Sequence, residues 1–195
     1  MSKIKLTKNE LKTQRDALAR FNRYLPTLQL KKQQLQMEMR RLDQEIEEKQ
    51  KEEETERRNL GSWIRLYSES FDLAPYAELE TLETSTGNIA GVSIPILEKL
   101  HFKEATPNLF DTPPWLDEGV RVLKQLTRLR TERQILEEQH RLLNAELRTT
   151  TQRVNLFEKV KIPEAKENIR VIRIFMGDQQ TAAVARSKIA KGKSA

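Results

Sequence analysis

Apolar side chains recur in this chain at alternating steps of three and four residues, and that spacing limits the possible folds more than any other feature. The first series is Leu11, Gln14, Leu18, Phe21, Leu25, Leu28, Lys32, Leu35, Met39, Leu42 and Ile46, of which nine of eleven are apolar. An average repeat of 3.5 residues, shorter than the 3.6 of a straight α-helix, is the seam of a left-handed coiled coil. A helix lying on a globule usually ends within about 20 residues, well short of this run. Pro26 falls inside the series and predicts a local bend, because it lacks an N–H and crowds the preceding turn.

A second series repeats the signal. Val122, Leu126, Leu129, Arg133, Leu136, His140, Leu143, Leu147, Thr150, Val154 and Phe157 follow the same rule, with eight of eleven apolar. Beyond Pro163 the stripe resumes one residue out of phase, at Ile162, Ala165, Ile169, Ile172 and Met176. Asp111-Thr112-Pro113-Pro114-Trp115 marks the start of this helix, with Thr112 as N-cap and Pro113 as the first helical residue. Gly177-Asp178 predicts a weakened or bent helix near its end.

Between the two series the chain changes character. Residues 63–115 hold seven of the eleven aromatics, Trp63, Tyr67, Phe71, Tyr76, Phe102, Phe110 and Trp115, with Pro75, Gly87, Gly91, Pro95 and Pro107 breaking regular helix. Val92, Ile94 and Ile96 alternate with Ser93 and Pro95, which predicts a short edge strand or hairpin near 89–103. Residues 47–58 are almost wholly charged and read as a solvated helix carrying i,i+4 pairs such as Glu47 with Lys51.

Two helices of similar length, each with one apolar stripe and joined by a compact insert, satisfy one another by folding back antiparallel. The alternative is that each helix dimerises between molecules. The expected class is all-α: a long antiparallel two-helix coiled coil with a small mixed insert at the bend. Its parts are an N-terminal coiled-coil helix over 1–62, an insert or foot over 63–115, and a C-terminal coiled-coil helix with a basic tail over 116–195. At ~1.5 Å per residue each helix runs roughly 80–100 Å. The net charge of +6 is concentrated at the ends: residues 1–15 and 181–195 carry +4 each, and the body is near neutral. Antiparallel folding predicts that both basic termini meet at one tip, with Lys3, Lys5, Lys8, Arg186, Lys188 and Lys191 as its partner-binding residues.

Most site chemistry is missing. The chain has no Cys, so disulfides and thiolate metal sites are excluded, as fits a reducing compartment. The six glycines form no phosphate-cradling loop. His101 and His140 lack metal-ligand spacing, and His140 lies on the seam, where it reads as a packing or register residue. No nucleophile-plus-base spacing appears, and a coiled coil offers no cleft in which to shift a pKa. No catalytic, cofactor or metal residue is expected. The termini lack the aromatics that stack bases, so no nucleic-acid partner is expected and a basic tip meeting an acidic protein surface is. No apolar run resembles a signal peptide or approaches the ~20 residues of a membrane span, so direct membrane insertion is not expected.

Specific words in the sequence add to this reading. Arg153-Val154-Asn155-Leu156-Phe157-Glu158, preceded by Thr149-Thr150-Thr151-Gln152 and followed by Lys161-Ile162-Pro163, resembles the signature of the D subunit of V-type ATPases. Leu6-Thr7-Lys8-Asn9-Glu10-Leu11, Leu30-Lys31-Lys32, Asn88-Ile89-Ala90-Gly91-Val92-Ser93-Ile94-Pro95 and Lys188-Ile189-Ala190-Lys191 are similar to further family segments, in the right order over nearly the whole chain. The wording looks most like bacterial versions such as those of chlamydiae. The resemblance implies a non-catalytic central rotor shaft coupling ATP hydrolysis or synthesis in a head of A and B subunits to proton or sodium transport. It also implies contacts with the F subunit and with the protein capping the membrane ring, at the inner face of the plasma membrane. Rival readings are a coiled-coil scaffold and a stalk-like component of a secretion or flagellar export ATPase.

Overall fold

A computed structural model describes residues 4–61, 65, 73–103 and 112–193. Trp63, Tyr67, Phe71, Pro107, Phe110 and Asp111, which the sequence places in the insert, lie outside the described residues. The elements in chain order are α1 (Lys8–Leu60), the single turn α2 (Ala74–Ala77), β1 (Leu79–Ile89), β2 (Val92–Phe102), α3 (Leu116–Leu156), a π-helical turn (Phe157–Lys161) and α4 (Ile162–Lys193). The chain forms two compact units, one of Met1–Gln33 with Arg148–Ala195 and one of Gln34–Leu147.

In the first unit Leu11, Ile169 and Ile172 form a buried cluster, with Ile4, Leu6, Leu18 and Met176 packed against it. Asn168 donates to the Gln14 side chain at 3.3 Å, and the rings of Phe21 and Phe157 lie 5.2 Å apart. Partner numbers fall as α1 numbers rise, so the two segments run antiparallel. In the second unit Leu35, Leu42, Ile94 and Leu143 form the core, joined by Met39, Ile89, Val92, Leu136 and Leu147. Asp43 meets His140, and Glu53 meets Arg133, so α1 and α3 are antiparallel here too. Every residue of both predicted series is buried or half-buried. The all-α class, the antiparallel pairing and the small stranded insert are as the periodicity predicted. Burying one such Leu or Ile fully is worth about 1.5–3 kcal/mol.

The one-residue phase slip has a structural cause. Pro163 cannot donate to the carbonyl four residues back, and its ring crowds that carbonyl. The chain widens into a π-turn just before it, where the Ile162 N–H bonds to the Phe157 carbonyl, five residues back. The extra residue is absorbed there. Val154 before the turn and Ile162, Ala165, Ile169 and Ile172 after it are therefore all buried. Pro26 lies within α1, whose helix continues through it. Likewise α4 continues through Gly177-Asp178 to Lys193, with the Thr181 hydroxyl bonding the Gly177 carbonyl at 3.0 Å.

The start of α3 corrects the sequence reading. Helix begins at Leu116, not at Pro113, after a turn in which the Leu116 N–H bonds to the Pro113 carbonyl. Pro114 disfavours the α conformation for the residue before it, so Pro113 cannot open the helix. Leu116 is 2% exposed and anchors the new start.

The hairpin is larger than expected. Both strands have 11 residues, paired antiparallel around Ala90-Gly91. Both turn residues have positive φ (50° and 81°), the signature of a tight primed turn. The Gly91 N–H donates to the Asn88 side chain at 3.0 Å, reinforcing it. Ile94 is buried against α1 and α3. Pro95 still offers its carbonyl, which the buried Gln139 side chain reaches at 2.6 Å.

The charged run 47–58 is only partly a solvated face. Glu47 and Lys51 pair at 2.7 Å as predicted. The 3.5-residue rhythm also runs on through Lys49 and Glu53, and these turn inward. Glu53 is 8% exposed and accepts from Arg133 at 3.3 Å and Arg57 at 2.7 Å. Lys49 bridges to Glu132 at 3.0 Å. Ions here occupy seam positions that apolar residues fill elsewhere.

Two outcomes test this account. Deleting Val160 together with Pro163→Ala should turn the π-turn into α-helix with the seam in phase, changing stability by less than about 1.5 kcal/mol; deleting Arg141, where no turn can absorb the change, should cost several times more by urea denaturation. Arg133→Met should lower stability by about 1–3 kcal/mol by leaving the buried Glu53 under-compensated, and adding Glu53→Leu should restore it.

Candidate partner-binding surface

The basic residues singled out in the sequence occupy exposed positions in the first unit. Lys5 precedes α1, Lys8 opens it, and Arg186, Lys188 and Lys191 lie on the last turns of α4. Lys3 is outside the described residues. Ile4 and Leu6 fix the N-terminal segment by packing on the cluster that includes Ile172 and Met176. Lys5 and Lys8 therefore sit beside that level of α4. Arg186 to Lys191 lie ten to fifteen residues farther along the helix, about 15–22 Å beyond Met176. The structure thus brings the basic residues to one end of the unit but at two levels, not to one shared point.

The reason is a mismatch in length. Once Leu11 is paired with Ile169 and Ile172, α1 has too few residues to cover the rest of α4. Every residue from Gly177 to Lys193 is exposed. This stretch carries Val184 and Ile189 at 58% and 61% exposure among its cations, so among the described residues it is an amphiphilic helix without a helical partner in its own chain. Its charge masks these apolar residues in the sequence, where their signal is the end of the paired stripe at Met176.

Several charges along the helices are compensated within the chain. Arg121, Arg141 and Arg170 each fork onto the carboxylate three residues before them, and Arg128 bonds Glu132. Hydrogen bonds from Lys51, Arg121, Arg141 and Arg170 hold the carboxyls of Glu47, Glu118, Glu138 and Glu167 below their ordinary value. By contrast, the side chains of Lys5, Lys8, Arg186 and Lys188 have no ion pair or hydrogen bond among the described residues. Their positive charge is not compensated among the described residues.

Among the described residues no cluster of His, Asp or Glu is placed to hold a metal ion, and no helix is long and apolar enough to cross a membrane. His140 Nε2 lies 3.1 Å from Asp43 on the facing helix, as suits a register residue. The resembling segment Arg153–Glu158 has a clear structural place: Val154 and Phe157 supply the seam, and the π-turn begins at Phe157. That wording, with the Ile162-Pro163 that follows, encodes the phase correction.

Comparison with known proteins gives a consistent result. The pattern describing the D subunit of ATP synthase matches residues 10–192. The chain is similar to the D subunit of the V-type ATP synthase of Borreliella burgdorferi, 50% identical over 191 residues that cover 98% of this chain and 95% of the relative. It is also similar to proteins of the same name from Chlamydia caviae (34% identical) and Chlamydia abortus (33%), each aligned over 98% of this chain and 94% of the relative.

The four depressed carboxyls give a signed pH dependence. Their support for the helices is present above the ordinary glutamate value of 4.5 and is lost as pH falls through the lowered folded values. Thermal stability should therefore be flat from about pH 6 to 8 and should decline on acidification below about pH 4.5. Glu138→Gln with Glu167→Gln should make that decline shallower in a melting series.

Proposed function

The chain belongs to the D-subunit family of ATP synthases, and from that membership we propose that it is the central stalk of a V-type ATPase, turning inside the catalytic head to couple ATP hydrolysis or synthesis to proton or sodium transport. The observation that carries the reading is the signature Arg153–Glu158 with Ile162-Pro163. Its residues build the π-turn that keeps a long helix in register with its partner segment.

The physics of the chain suits a transmitting role. A packed antiparallel pair resists twisting better than one helix. A single asymmetric stalk in a three-fold head presents different side chains to each catalytic interface, which biases chemically identical sites toward different states. In this role the chain is a non-catalytic part of the complex. Lys3, Lys5, Lys8, Arg186, Lys188 and Lys191 meet the head of A and B subunits. Insert 63–115 sits on the protein capping the membrane ring, and the F subunit binds the midsection of the stalk. Association with the inner face of the plasma membrane is through the complex. Positively charged side chains sliding on an acidic inner wall make contacts that water exchanges easily.

Co-purification with A, B and F subunits, and hydrolysis by the head with and without the chain, test the assignment; a homodimer ignoring all three would sink it. Replacing Arg186, Lys188 and Lys191 by Gln should reduce coupled ATPase activity about 3- to 10-fold near 0.1 M salt, and the gap should narrow as salt screens the contacts. Unaltered activity after removing residues 181–195 would exclude the terminal basic residues from the coupling contact.

A further inference from the structure

One groove of the first unit is lined by Arg15, Leu18, Ala19 and Asn22 from α1 and by Lys166, Ile169 and Arg173 from α4, enclosing about 480 Å³. Both rows follow the helical three-and-four step, so they face each other along the groove. The floor is apolar, with Ile169 8% exposed. The rims are cationic. Arg15, Lys166 and Arg173 are exposed, and none has an ion pair or hydrogen bond among the described residues.

The opposite groove of the same helix pair is the control. It is lined by Gln14, Ala17, Phe21, Lys161, Glu164, Ala165 and Asn168. There Lys161 is bonded to Glu164 at 3.1 Å, and Gln14 is engaged by both Glu10 and Asn168. Its polar groups satisfy one another, whereas the cations of the first groove all lack an internal partner among the described residues. The asymmetry is not explained by helix packing, because the two grooves flank one seam.

We propose that the groove of Arg15, Lys166 and Arg173 receives a carboxylate-bearing amphipathic helical segment of a neighbouring protein in the complex. Two guanidinium groups on facing rims suit bidentate carboxylate capture, and Leu18, Ala19 and Ile169 suit the apolar side of such a segment. The α1 rim continues at the same spacing through Lys12 and Lys8, both exposed and without an internal partner among the described residues. From Lys8 to Asn22 the row spans about 20 Å, the reach of a peptide segment and not of a small anion. No aromatic lines the groove to stack bases.

The proposal rests on the central-stalk reading for its setting, a neighbouring protein of the complex, but its three groove cations, Arg15, Lys166 and Arg173, lie outside the tip. Lysine acetylation of the full chain, free and within the purified complex, reads it directly. Lys166 should react about 10-fold more slowly in the complex, and carbodiimide should join it to an Asp or Glu of another protein of the complex. Arg15→Glu with Arg173→Glu should weaken incorporation about 10-fold at low salt, while Arg15→Lys with Arg173→Lys should keep most of it. Far-UV helicity of both variants checks that they fold. A second arm adds to the free chain a synthetic helical peptide with glutamates on one face and leucines on the other; it should protect Lys166. If the chain assembles and Lys166 stays as reactive as in the free chain, the proposal is overturned. If the chain enters no ATPase complex, the stalk reading falls and the peptide arm decides: protection of Lys166 supports the groove, and no protection overturns it. Stronger protection by RNA or by anionic phospholipid vesicles than by the peptide also overturns it.

Discussion

The packing of one apolar stripe against another is the interaction on which the rest of this protein depends. Leu35, Leu143 and Ile172 are the most deeply buried of the seam side chains, and each lies at a position given by the three-and-four step. Such a seam tolerates no lost or gained residue unless the backbone absorbs it, since one residue turns the stripe by about 100° around the helix. The π-turn at Phe157–Lys161 is that device, and Pro163 is the reason it sits where it does. The wording of a family signature thus becomes a local mechanical requirement: a widened turn, a proline, and Ile162 returned to the buried side.

The seam is not uniform. Around Leu35, Leu42 and Leu143 it is apolar and also anchors the hairpin through Ile94. Around Lys49, Glu53, Glu132 and Arg133 it is ionic. Buried ion pairs add little net stability compared with apolar packing, but they penalise wrong registers, in which a charge would face a Leu. The apolar part supplies adhesion, and the ionic part discriminates among alignments of two long, repetitive helices.

Much of this was legible in the sequence because a 3.5-residue repeat has one physical meaning over so many turns. The phase slip near Pro163 was visible too, although as a discontinuity without a mechanism. Strand β1 was not legible: Glu80, Thr81, Glu83, Thr84, Ser85 and Thr86 show no clean alternation, since most of the strand faces water and its partner's Ile94 does the burying. The inward turn of Lys49 and Glu53 was hidden because charge alone reads as surface until a facing Arg133 or Glu132 is placed. The basic residues were found by composition. Their separation into two levels depends on where α1 runs out relative to α4, which no local pattern states. The groove of Arg15, Lys166 and Arg173 depends on contacts between residues about 150 positions apart in sequence, beyond the reach of any local helical pattern.

These features together suit the paired helices to be the moving stalk of a rotary ATPase. Because the chain has no natural Cys, a single cysteine at the exposed Glu80 of the hairpin allows one bead to be attached to it in an immobilised complex supplied with ATP. The account predicts stepwise rotation of the bead in one direction, stopping when ATP is withdrawn. A bead that stays still while the same complexes hydrolyse ATP would contradict it.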